Sequence, residues 1–214
     1  MEDKFYKFSE INMKILEEIS DFEQVRNQDI FKEWFNFHYE IEKSDEEFLY
    51  KSIKVNRYNI DIYSELQLQL HFINPLLNRI HFYSDNFRSW FQQEISGIVN
   101  GHKISGILDF MVASGTLKPK KPYFFIQEFK KSAPIPKHPK GQLFSQMAVA
   151  IETNKINKMR GAYNIGRFWF FVVLEKIKDG KYRYHESEAF NALKINDLKQ
   201  IYIILKALKH KYCK

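Results

Sequence analysis

Hydrophobic residues recur with two different periods along this chain, and the change from one to the other falls near Phe87. Upstream, apolar positions return every three or four residues, the spacing of one helix face. Ser9 is placed to cap a first helix running to about residue 20. Residues 29–39 carry Ile30, Trp34, Phe35 and Phe37, and Ser44-Asp45-Glu46-Glu47 has the form of a capping box opening a third helix. A second box, Ser64-Glu65-Leu66-Gln67, opens a longer amphipathic helix with Leu66, Leu70, Ile73 and Leu77 on one side, which Pro75 should bend or divide.

Downstream the period becomes two. Asn100-Gly101 supplies the two positive-φ positions of a type I′ turn, so 94–99 and 102–113 should pair as an antiparallel hairpin. A loop at 114–122 leads to an aromatic-rich third strand at 123–131, and a proline-rich loop at 133–139 precedes a helix over 141–154. Strands are expected at 161–165 and 167–177, a turn at Asp179-Gly180, a returning strand at 181–185, and a last helix over 196–211. The run 168–174 is almost continuously apolar, which suits a central strand covered on both faces. These elements predict an α/β fold, a mixed β-sheet flanked by helices. Residues 1–60 read as an acidic helical N-terminal extension and 61–214 as the main domain.

Composition narrows the class. With 44% hydrophobic and 16% aromatic residues the chain can bury a core without staples, which excludes disorder as its main state. The apolar runs at 168–174 and 201–205 fall far short of the ~18–20 residues of a spanning helix, so no membrane partner is expected. A polar, acidic start lacks the basic region and cleavage site of a secretory signal. The single cysteine, Cys213, has no disulfide or zinc partner, and both features fit a reducing cytoplasm. Charge is divided unevenly. Residues 1–100 carry 11 Lys/Arg against 18 Asp/Glu, whereas 101–214 carry 22 against 8. A basic half of this kind attracts polyanions through counterion release.

Two of the few acids in that half, Asp109 and Glu128, lie inside apolar strands, where an unpaired carboxylate is costly to desolvate. Alternation puts Asp109 on one face with Ile107 and Met111, and groups Phe124, Ile126, Glu128 and Lys130 on one face of the next strand. On neighbouring strands the two acids would share a pocket and repel each other unless a proton or cation intervened. Oxygen ligands suit Mg²⁺ or Mn²⁺, with water and the Phe129 carbonyl adding to the shell. Lys130 would stand beside the bound water or a phosphate.

Gly106-Ile107-Leu108-Asp109, followed after a gap by Gln127-Glu128-Phe129-Lys130, resembles the PD-(D/E)XK nuclease superfamily with its restriction-endonuclease-like fold. The resemblance covers roughly residues 60–190. It implies metal-binding roles for Asp109 and Glu128, a lysine, Lys130, that assists the attacking water, a helix carboxylate at Glu65, and a glutamine at Gln142 or Gln146. The implied function is metal-dependent hydrolysis of nucleic acid, DNA ahead of RNA, with a homodimer as the simplest way to cut a duplex. Lys131, Lys137, Lys140, Gln146 and Arg167 are the expected nucleic-acid contacts. The alternatives are a catalytically silent domain of the same fold that binds nucleic acid, and a protein-interaction module.

Overall fold

The computed structural model describes residues 4–131 and 138–213. Seven α-helices and nine strands are formed by these residues: β1 (Phe5–Lys7), α1 (Met13–Ile19), β2 (Asp21–Gln24), α2 (Lys32–Phe35), α3 (Lys43–Asn56), α4 (Glu65–Leu68), α5 (Asn74–Ile80), β3 (Phe87–Val99), β4 (His102–Ser114), β5 (Lys120–Lys130), α6 (Pro139–Asn154), β6 (Lys158–Ile165), β7 (Phe168–Lys178), β8 (Lys181–Glu186), β9 (Phe190–Asn191) and α7 (Ile195–Tyr212). The fold is mixed α/β, a curled mixed sheet flanked by helices. None of the described helices is long and apolar enough to cross a membrane.

The sheet runs β4-β5-β6-β7-β8-β2, with β3 beside β4. β4 is long enough for two neighbours in succession: β1 pairs in parallel with Lys103–Ser105, and β5 pairs antiparallel from Phe110 onward. The β3–β4 hairpin turns at Asn100 and Gly101, with φ of 48° and 80°, as the sequence predicts. β5 and β6 are parallel, and α6 connects them.

Helices cover both faces. Phe110, Phe125, Phe129, Trp169, Phe171 and Val173 face a core closed by α2 to α5 and α7. Leu108, Met111, Ile126, Tyr163, Val172 and Leu174 face a second core closed by α1 and α6. The apolar run at 168–174 divides between the two, as expected of a central strand.

The first sixty residues correct the expectation of a helical extension. They supply two strands, β1 and β2, each pairing in parallel with a strand far along the chain, and they place Phe8, Leu16, Phe31, Trp34 and Leu49 in the two cores. α1 is capped by Asn12, not Ser9. Its start lies so close to α6 that a Cβ on Gly141 would stand 2.5 Å from the Asn12 Cα, which is why a glycine is needed there. Residues 29–39 form only a short 3-10 turn and the single turn of α2. The Ser44 box is not made either, because the Ser44 hydroxyl accepts from Arg79 Nη2 at 2.9 Å and α3 begins after Glu42. The Ser64 box forms as predicted. Pro75 does not divide the helix sharply. A π turn at Gln69–Ile73 carries the chain from α4 into α5, and the His71 carbonyl that Pro75 cannot serve accepts from Asn56 Nδ2 at 3.4 Å.

Candidate active site

Regular alternation on β3 and β4 breaks at one place, and that place is the site. On β4, Ile104 and Leu108 share a core with Met111 and Ala113, whereas Phe110 and Val112 face the other side. The inward set therefore slips by one residue at Asp109. On β3 the slip falls at Gln92, a non-glycine residue with φ of 51°, and the paired register passes over Gln92 and Asp109 alone. This corrects the expected face of Asp109: Ile107 is 57% exposed while Met111 is buried, so they do not line one surface with it.

The slip turns Asp109 toward β5. Its Oδ1 accepts from Gln92 Nε2 at 2.9 Å, and its Oδ2 accepts from the Phe129 backbone N–H at 2.8 Å. Phe110 and Gln127 are the last residues paired between β4 and β5, so the carboxylate takes up a donor just where that ladder ends. Both Asp109 oxygens are thus oriented by protein donors.

Glu128 is fully buried. Its Oε2 accepts from Gln146 Nε2 on α6 at 3.0 Å, and its Oε1 lies 2.9 Å from Lys130 Nζ, an ion pair without a well-aimed hydrogen bond. Lys130 also faces Glu65 Oε1 at 3.6 Å, on the first turn of α4. Burial and then the charge of Asp109 push the Glu128 carboxyl up to about 8, against the pull of Lys130 and Gln146. Burial alone would lower Lys130, but Glu128, Glu65 and Asp109 together leave it above its ordinary value. Two carboxylates thus share one ammonium, with the charge of a third, Asp109, acting on it from farther off. The buried Oε1 atoms of Glu128 and Gln146 have no hydrogen-bond partner among the described residues.

The expected residues separate into two groups. Asp109, Glu128, Lys130 and Glu65 come together, and Gln146 joins them as the partner of Glu128, fully buried and not on an open nucleic-acid surface as expected. Gln142 lies one turn earlier on α6, half-buried, with no side-chain hydrogen bond among the described residues; only its carbonyl is engaged, by Ser145 Oγ at 2.7 Å. Phe124 leaves the face of Glu128 because a bulge in the β4–β5 ladder rotates it onto Tyr212. Lys131 is exposed at the end of β5, and Lys137, with most of the loop at 133–139, lies outside the described residues. Lys140 pairs with Glu186 at 2.8 Å and Arg167 with Asp61 at 2.7 Å, so both cations already have counterions in the chain.

Among the described residues no group of three or more His, Cys, Asp or Glu side chains is clustered to hold a metal ion. A cation between Asp109 and Glu128 would have to complete its shell with backbone carbonyl, water and substrate oxygens, as Mg²⁺ commonly does when held by one or two carboxylates. The buried, unsatisfied oxygen of Glu128 and the excess of carboxylate over ammonium fit such an ion.

Sequence reasoning missed Gln92. Counting outward from the Asn100-Gly101 turn sets it opposite Asp109, and that was the available signal. It also missed Tyr163, the buried register partner of Glu128 on β6, whose titration is driven far upward by burial first and the charge of Glu186 next. No protein-family model matches the chain, and no curated protein matches it in a sequence search.

Proposed function

We propose that the protein is a metal-dependent nuclease of the PD-(D/E)XK type, with a restriction-endonuclease-like arrangement of its sheet and helices. The observation that carries the reading is the shortage of positive charge at the site: Glu128 and Glu65 share Lys130, Asp109 adds a third carboxylate nearby, and burial first and the charge of Asp109 next push Glu128 up to about 8. A divalent ion, Mg²⁺ or Mn²⁺, bound by Asp109, Glu128 and the Phe129 carbonyl would supply an ionised water and neutralise phosphate charge.

The chain's own groups have defined tasks in this reading. Gln92 and the Phe129 N–H fix the direction of Asp109, and Gln146 fixes Glu128. Lys130, steadied by Glu65, holds the attacking water and stabilises charge developing on the phosphodiester. Preorganised donors in a poorly solvated place are worth more than the same groups in water. DNA is the preferred substrate class ahead of RNA, and a homodimer would place two such sites on a duplex.

Calorimetry with Mg²⁺ and Mn²⁺ on the wild type and on Asp109→Ala/Glu128→Ala, beside a cleavage assay on mixed DNA and RNA, tests the proposal. Ion uptake that depends on the two acids, with cleavage, upholds it. No uptake there overturns it and leaves a binding domain whose acids are structural.

A further inference from the structure

The end of α3 stands out against its surroundings. The first hundred residues carry a net negative charge, yet between Phe48 and Ile60 there are three cations, Lys51, Lys54 and Arg57, and no acid. Their spacing of three keeps them on one side of the helix. With Tyr50, Ile53 and Val55 they line an open recess, and a second recess shares Tyr50, Ile53 and Arg57 and continues to Leu193 and Ile195 at the start of α7. Beyond them Tyr58 is 80% exposed, with the Arg57 guanidinium 5.1 Å from its ring centre.

We infer that this face is a groove for a single-stranded segment of nucleic acid, with Lys51, Lys54 and Arg57 on the phosphates and Tyr58 stacked on a base. The inference rests on the nuclease reading for the class of ligand, and it moves the contact surface away from the basic half that the sequence indicated. Charge complementarity supports it: among the described residues these three cations make no ion pair, whereas Lys140 and Arg167 are neutralised by Glu186 and Asp61. An exposed tyrosine beside cations offers a π face to an unstacked base, which a paired duplex does not present from its backbone side.

A short stretch of chain joins Tyr58 to the acids. From Tyr58 the chain turns through Asn59, whose carbonyl accepts from the N–H groups of Ile62 and Tyr63 at 3.0 Å, and reaches Glu65, 3.6 Å from Lys130. Asp61 in that turn holds Arg167, and the preceding Gly166 N–H donates to the Lys130 carbonyl at 2.8 Å. A strand leaving Tyr58 along this path would pass the Asp61–Arg167 pair before it reached Lys130.

The test is binding of labelled single-stranded and duplex DNA of one mixed sequence, about 20 nucleotides long, to the full chain in chelator, across a range of salt. The variant Lys51→Gln/Lys54→Gln/Arg57→Gln should weaken single-strand binding about tenfold or more and reduce the slope of log affinity against log salt by about 2. Tyr58→Ala should weaken the single strand about five- to a hundredfold and spare the duplex. Lys118→Gln/Lys120→Gln/Lys121→Gln, on the β4–β5 connection and the start of β5, should leave both unchanged. Wild-type affinity in the α3 triple variant overturns the inference, as does a triple variant that changes only self-association in sedimentation, which would assign the groove to a second copy. Loss of binding in the α3 variants with no ion uptake at Asp109 and Glu128 keeps the groove and removes the nuclease. Ion-dependent cleavage indifferent to the α3 variants does the reverse.

Discussion

Asp45 on α3 and Glu128 on β5 are both withdrawn from water, and their oxygens are served differently. Asp45 receives the Arg79 Nε at 2.5 Å on one oxygen and the Tyr202 hydroxyl at 2.5 Å on the other, and Arg79 turns a further nitrogen to Ser44. One acid meets one base, and three helices, α3, α5 and α7, are tied at a single point. Arg79 is raised chiefly by its hydrogen bond to Asp45, and Tyr202 is driven upward by burial first and Asp45 next. Glu128 shares its lysine with Glu65, stands near a second carboxylate, and keeps one oxygen without a well-aimed donor. The balanced carboxylate holds the fold together, whereas the unbalanced one is where the proposed metal ion would add charge.

Four experiments can break or sharpen this contrast. Lys130→Ala should lower cleavage about 10²- to 10³-fold with metal uptake mostly retained, since it removes a group aimed at developing charge; full activity in steady-state assays would remove Lys130 from the chemistry. Asp45→Ala should cost about 3 kcal/mol in urea unfolding, near the low end for breaking a buried pair because Arg79 is 37% exposed, while folded protein keeps its metal affinity.

The third experiment is pH. The Glu128 carboxyl titrates near 8 in the metal-free fold against 4.5 as its ordinary value, so the folded state holds the proton more tightly between those limits. That contribution to stability is complete below about pH 4.5 and is lost as pH rises to about 8, a fall of about 4 kcal/mol that Glu128→Gln should flatten. Thermal melts of the two proteins from pH 5 to 8 would show parallel curves if Glu128 were as well balanced as Asp45. The smallest effect belongs to Gln92→Ala, which should weaken Mg²⁺ binding about tenfold by freeing Asp109 and leave the melting temperature nearly unchanged. Unaltered affinity in calorimetry would make the contact to Asp109 incidental.

Much of the sheet is legible because its signals are local. The Asn100-Gly101 turn, the acids set within apolar strands and the period of α6 and α7 each lie within a dozen or so residues. β1, β2 and β9 carry no such signal, being two to four residues long and defined by partners elsewhere in the chain. The Ser44 box failed for a related reason, since Arg79, thirty-five positions away, competes for the hydroxyl. At the site, Glu128 and Lys130 could be read from residue type and alternation, Asp109 from its type within an apolar strand though not its face, and Glu65 only from the family resemblance. The slip at Gln92 could not, because a positive φ in a polar Gln-Gln pair leaves no mark on hydrophobic pattern. Nor could the counterions of Arg167 and Lys140, which come from Asp61 and Glu186 on separate elements.

The pairing of β2 with β8 sets an order of events in synthesis. Asp21 lies against Lys181, so the partner of β2 is made some 160 residues after it. At about 5–20 residues per second, β2 waits roughly ten to thirty seconds for a strand to join. Through that interval the edge that β2 will cover does not exist, and Phe22, later stacked on Tyr182, has no ring to meet. β8 therefore recruits a segment made long before it. A late step built on such distant contacts makes for slow folding, and until it is complete β8 presents an open edge to any other extended chain nearby.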